Sequence, residues 1–148
     1  MKAYIDTAVV VAALIEAHPH YLPARGTIER IHNGAFTACI SGHGLAEAYS
    51  VLTRTPFKPR VLPMEGWQFL SDNVFPRLEI VSLQADSYKG TIDSCARRGW
   101  HGGRIYDAIH LCCARQASCD RIYTFKVRHF QELAPDLSDR IGFPPSSF

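Results

Sequence analysis

The sequence predicts a three-layer α/β/α fold around a central, mainly parallel sheet of four or five strands. Two observations carry this expectation. Short β-type runs alternate with helical segments of roughly 10–15 residues, the pattern of βαβ units whose sheet is covered on both faces. No internal repeat, low-complexity segment or long linker interrupts the alternation. At 148 residues the chain is expected to form one domain, over 1–148, with a substantial core.

Each element has a local reason. Lys2–Asp6 is a short β-type run. Thr7–Glu16 then reads as a helix with Thr7 available as its N-cap, and His18-Pro19-His20 breaks it. Tyr21–Asn33 is the next helix, closed by Gly34 in the left-handed position that follows many helices. Phe36–Ile40 is a second strand. Ser41 caps a helix running to about Thr53, whose Leu45, Tyr49 and Leu52 share a face. The prolines of Thr55-Pro-Phe-Lys-Pro-Arg-Val-Leu-Pro63 predict an exposed, non-helical loop. A helix near Glu65–Asn73 precedes a third strand at Leu78–Leu83. Gln84–Arg98 and Arg104–Ser118 are helical, separated by a flexible Gly99-Trp-His-Gly-Gly103 loop that gives the second helix backbone freedom at its start. Arg121–Thr124 is a fourth strand, Val127–Leu133 a short helix and Arg140–Phe143 a last edge strand.

Composition narrows the function classes. Hydrophobic residues at 47% and charged residues at 20% describe an ordinary soluble globular protein, not a disordered one. The longest apolar stretch, Ala8 to Ile15, falls far short of the roughly 20 residues that span a bilayer. Asp6 beside it is wrong for a secretion signal and no cleavage pattern follows, so the cytoplasm is the expected compartment and no membrane partner is expected. The five cysteines include no C-x-x-C and sit in apolar contexts, as reduced core residues do. A net charge of +2 permits a nucleic-acid partner without arguing for one.

Three carboxylates stand out. Asp6 ends the first strand, Glu47 lies about two helical turns beyond the second, and Asp107 sits in the first turn of the Arg104–Ser118 helix. Doubly wound sheets place their working site beyond the carboxyl ends of the strands, where strand order switches. One rim can therefore collect all three. Carboxylates gathered in one pocket repel unless a cation joins them, and hard oxygen ligands favour Mg²⁺ or Mn²⁺.

The ordered segments are the strand ending Ile5-Asp6-Thr7, then Ser41-Gly-His-Gly-Leu-Ala-Glu-Ala-Tyr49, Gly103-Arg-Ile-Tyr-Asp-Ala-Ile-His110 and Ile122-Tyr-Thr-Phe-Lys-Val-Arg-His-Phe130. Taken together they resemble the PIN-domain ribonucleases, and more narrowly the VapC-type toxins of bacterial toxin–antitoxin pairs. The resemblance implies a PIN-like fold and a metal-dependent endoribonuclease that hydrolyses RNA phosphodiester bonds and leaves a 5′-phosphate. It also implies a VapB-type antitoxin partner and a homodimer. The family's acids fall on Asp6, Glu47 and Asp107. Asp6 and Asp107 would hold Mg²⁺ or Mn²⁺, and Glu47 would complete the shell or orient a water as general base. The family's usual fourth Asp or Asn is replaced by Lys126 after Thr124-Phe125. An ammonium there is expected to repel a divalent ion or to neutralise a carboxylate, weakening metal binding and activity; the competing expectation is an outward Lys126 that meets RNA phosphate.

Bland readings stand beside these. Asp6 could cap the first helix, Glu47 could be a solvated helix residue, and Asp107 could complement a helix dipole. Thr7 and Ser41 read as caps, and the seven histidines as structural or surface groups without zinc-site spacing. Arg97, Arg98 and Arg104 near the rim, and Arg54, Lys58 and Arg60 near the proline-rich loop, are candidate phosphate contacts or ordinary solvated charges. Two rival functions remain. One is a PIN domain weakened or disabled by Lys126 that binds RNA or regulates. The other is a phospho-signalling receiver, which lacks here the acidic pair at the first strand and has Asp86 inside a helix instead of directly after the third strand.

Overall fold

The computed structural model describes residues 1–145, so the end of the expected 1–148 domain, 146–148, lies outside the described residues. Five strands form one sheet, β1 (Lys2–Ile5), β2 (Thr37–Ser41), β3 (Leu78–Val81), β4 (Arg121–Tyr123) and β5 (Ile141–Gly142), in the order β3-β2-β1-β4-β5. Every pairing is parallel. The expected sheet is present at its upper strand count.

Among the described residues seven α-helices connect or follow the strands: α1 (Thr7–Leu14), α2 (Tyr21–His32), α3 (Gly42–Arg54), α4 (Pro63–Asn73), α5 (Ala85–Arg97), α6 (Arg104–Gln116) and α7 (Val127–Leu133). The two-residue side-chain period of the strands sorts the core onto two faces. Ala3, Ile5, Ala38 and Ile40 pack with Val9 of α1 and Leu52 of α3 on one face. Tyr4, Cys39 and Ile122 pack with Leu111 of α6 and Phe130 of α7 on the other. The parity continues past the strand end, so Asp6 and Thr124 turn toward the α6 face.

Several boundaries differ from expectation for identifiable reasons. α1 stops at Leu14, with Ile15 already extended. Asp6, not Thr7, occupies its N-cap, and the Asp6 side chain makes no capping bond. β2 runs on to include Ser41 and β3 ends at Val81. α4 starts at Pro63, which the loop reading had excluded from helix. Proline tolerates the first helical position, and Glu65 Oε2 accepts the Leu62 N–H at 2.7 Å to close the start. All five cysteines are free thiols. Among the described residues no helix is long and apolar enough to cross a membrane.

Candidate active site

β1 is flanked by β2 on one side and β4 on the other, so the strand order reverses beside it. Asp6 emerges at that switch point, 1% exposed, with its N–H bonded to Tyr123 O. The next residue of β4's path is Thr124, fully buried, whose Oγ1 donates to Asp6 Oδ2 at 2.7 Å. Burial pushes the Asp6 carboxyl above its ordinary value, partly offset by His110 and the Thr124 hydrogen bond; Asp107 adds to the rise. The capping role proposed for this carboxylate is thus unfilled. It points into the pocket.

His110, 1% exposed on α6, is the hub of the site. Its Nε2 lies 3.7 Å from Asp6 Oδ1 and 3.8 Å from Glu47 Oε1. On the other edge, Nδ1 is 2.6 Å from the Tyr4 hydroxyl, and that hydroxyl accepts the Ser41 N–H at 3.2 Å. Burial raises the Tyr4 phenol well above its usual range, so it keeps its proton. Nδ1 thus faces the phenol, and Nε2 faces the two carboxylates. Gly44 permits this approach: a Cβ there would lie 3.0 Å from His110 Cε1 and 3.0 Å from Ser41 Oγ. Ser41 itself caps α3, accepting the Gly44 N–H at 2.8 Å. Thr7 Oγ1 donates to Gly44 O at 3.2 Å, tying α1 to the same turn instead of capping its own helix.

Glu47 is one turn after His43 on α3, and His43 Nε2 meets its Oε2 at 3.0 Å. The His43 ring stacks on Tyr106 of α6, with centroids 4.8 Å apart and planes at 9°. The His110 contact, with burial opposing and His43 adding, holds the Glu47 carboxyl down at about 2. Glu47 is an anion near neutrality.

Asp107 lies in the first turn of α6, its side chain 13% exposed. Lys126 Nζ sits 2.5 Å from its Oδ1. The ammonium also lies 5.6 Å from the Phe130 ring centroid, and the Lys126 N–H bonds Thr124 Oγ1 at 3.0 Å. Burial works to lower the Lys126 pKa, but the Asp107 hydrogen bond and the charges of Asp6, Asp107 and Glu47 outweigh it, so the net shift is upward. Of the two expectations for Lys126, this is neutralisation of a carboxylate. Arg104 turns away to Glu132, at 3.7 Å. Arg97 pairs with Asp93, and Arg98 lies over Trp100 and reaches Leu133 O.

The PIN-domain profile matches residues 3–134. Ribonuclease VapC40 of Mycobacterium tuberculosis is 32% identical over 70% of this chain and 72% of its own length. Ribonuclease VapC27 of the same organism is 30% identical over 76% of each. The chain belongs to the PIN-domain family. Solved structures agree on the fold of this PIN domain. Mycobacterium tuberculosis VapC20, described as a Sarcin-Ricin loop cleaving toxin, superposes with a TM-score of 0.68 at 13% identity, covering 90% of this chain and 94% of that one. VapBC2 from Rickettsia felis, solved with a DNA fragment from its promoter, gives 0.63 at 20% identity over the same shares.

Within the PIN domain the donor set fits a hard divalent cation. His43, Glu47 and His110 each bring one ligand-type atom within 4.8 Å of the others. Asp6 and Glu47 bring carboxylate oxygens beside the same imidazole edge, and oxygen donors of this kind suit a hard divalent cation. Residue-level reading missed His43 and His110. A signal was present: His43 is four residues before Glu47 and His110 three after Asp107, each on the helical face of a singled-out acid.

Proposed function

We propose that this chain is a metal-dependent endoribonuclease, the toxin of a VapBC-type toxin–antitoxin pair, working as one PIN domain over 1–148 in the cytoplasm. The observation that carries the reading is Asp6 and Glu47 facing one imidazole edge at the sheet's switch point, in a chain whose relatives are named ribonucleases. We assign Asp6, Glu47 and Asp107 as the acids of the Mg²⁺ or Mn²⁺ site, Asp6 and Glu47 as the direct ligands and Asp107 as the acid that Lys126 engages. Bound there, the ion supplies a Lewis acid for a phosphate oxygen and a more acidic water.

The chain's own residues do the rest. Thr124 orients Asp6 by a 2.7 Å hydrogen bond to one oxygen, and the His110 ring lies 3.7 Å from the other. Glu47, with a carboxyl held at about 2, is a poor proton acceptor at neutral pH, because a base works best when its pKa is near the working pH. Its role is therefore to bind the cation and orient the attacking water rather than to act as general base. Lys126 brings positive charge to the rim where the RNA phosphate arrives, and Arg104 offers a weaker backbone contact beyond it. The expected partners are RNA, a VapB-type antitoxin and a second copy of the chain.

A second reading has one observation in its favour. The Lys126–Asp107 pair removes a free carboxylate from the pocket, as a weakened or inactive PIN domain that binds RNA or regulates would have it. Incubation with total RNA, with EDTA and then with restored Mn²⁺, separates the two. Cleavage that stops in EDTA and returns with Mn²⁺ supports the nuclease; RNA binding without cleavage under any condition supports the regulator.

A further inference from the structure

The pocket of this chain carries a cation of its own. Lys126 is not swung out to solvent: its Nζ is 2.5 Å from Asp107 Oδ1 and 5.6 Å from the Phe130 ring centroid, and its backbone N–H holds the Thr124 hydroxyl that donates to Asp6. Asp107 of α6 and Phe130 of α7 hold the ammonium, and Thr124 holds the backbone that presents it. The Lys126 side chain remains 44% exposed while Asp107 is 13% exposed, so the ammonium forms the outer wall of the site and the carboxylate lies behind it.

Charge then sets what else the pocket can take. Asp6, Glu47 and Asp107 bring three negative charges, and Lys126 returns one positive charge, leaving two negatives for a single divalent ion to balance. Arg104 is paired with Glu132. His110 Nε2 lies 3.7 Å from Asp6 and 3.8 Å from Glu47, whereas Asp107 is held by Lys126, so the pocket divides into an Asp6–Glu47 half and an Asp107–Lys126 half.

We propose that Lys126 supplies, as a fixed ammonium, the positive charge that a second metal ion would bring to the Asp107 half, so this PIN domain binds one divalent ion, on Asp6 and Glu47. The inference rests on the acidic-site reading above and adds to it the number of ions and the reason for that number. A second cation on Asp107 would have to displace the ammonium from 2.5 Å and sit beside it, where two like charges repel at short range.

The test counts Mn²⁺ without RNA, by electron paramagnetic resonance of free Mn²⁺ during titration of the full chain, with circular dichroism to verify folding. The wild type should bind one ion. Lys126→Asn should bind two, the first at least tenfold more tightly than in wild type, because it frees Asp107 and offers an amide oxygen. Lys126→Arg should stay at one. Lys126→Met keeps an unbranched side chain of similar length and removes the charge; it too should admit the second ion, and it replaces Lys126→Asn should that variant fail to fold. Two ions in wild type, or one ion in wild type and in the uncharged variants alike, overturns the inference while leaving the metal site intact. No Mn²⁺ binding by wild type overturns the acidic-site reading, and the inference falls with it.

Discussion

Thr124 and Asp6 are bound side by side across two parallel strand ends, hydroxyl to carboxylate at 2.7 Å, both nearly inaccessible to solvent. The same hydroxyl oxygen accepts the Lys126 N–H, so one side chain couples the acid of β1 to the turn that presents the ammonium. Thr124→Val preserves shape and removes both bonds. A buried acceptor left without its donor costs about 1–3 kcal/mol, so the urea midpoint should fall accordingly. Thr124→Ser should restore most of it, and equal midpoints for Val and Thr would contradict the coupling.

Asp6→Asn should lower RNA cleavage by on the order of 100-fold or more, since it removes charge from the proposed ion's seat. Stability should move the other way. The Asp6 pKa is raised in the fold, so its contribution to stability is greatest below the unfolded value of 3.8 and is lost as pH rises through the folded value. In EDTA near pH 7, Asp6→Asn should therefore be at least as stable as wild type by urea denaturation. A clear destabilisation would mean the ionised carboxylate is better satisfied than its burial implies.

Glu47 has the opposite sign. Its folded pKa of about 2 lies below the ordinary 4.5, so its ionised form stabilises the fold above the ordinary value and loses that advantage as pH falls toward the lower one. Against Glu47→Gln in EDTA, the wild-type margin in denaturation midpoint should be full near pH 6, shrink below 4.5 and close by about 2. A margin independent of pH would assign the effect to packing instead of to the His110 and His43 contacts.

Gly44→Ala tests how closely α3 must approach α6. Alanine raises helix propensity by up to about 1 kcal/mol, yet its Cβ would press on His110 Cε1 and Ser41 Oγ at 3.0 Å in a buried site. Overpacking of this kind costs about 1–3 kcal/mol, so the net expectation is a lower denaturation midpoint together with reduced cleavage as His110 shifts from Asp6 and Glu47. A midpoint equal to or above wild type would show that the turn has slack.

Much of the fold was legible because strand and helix periods are local. The alternation of Lys2–Ile5, Thr37–Ser41, Leu78–Val81 and Arg121–Tyr123 with helices survives in the structure with end shifts of one or two residues. The missed start of α4 is instructive: three prolines argue for a loop, but the last of them occupies the one helical position that proline suits. Helix ends are decided by which backbone groups find partners, and Glu65 reaching Leu62 is a side-chain choice that composition does not show.

The site divides along the same line. The sequence alone determined that Asp6, Glu47 and Asp107 would lie at one rim, since a parallel sheet with intervening helices sends all its strand ends the same way. It also showed that Lys126 departs from the family pattern. Only the tertiary structure decided that His110 stands between Asp6 and Glu47, that His43 stacks beneath Tyr106, and that Lys126 closes on Asp107. The reason is physical. Connectivity fixes where each backbone segment ends, whereas a side chain's direction depends on the parity of its strand, the phase of its helix and how near a glycine such as Gly44 allows the two to come.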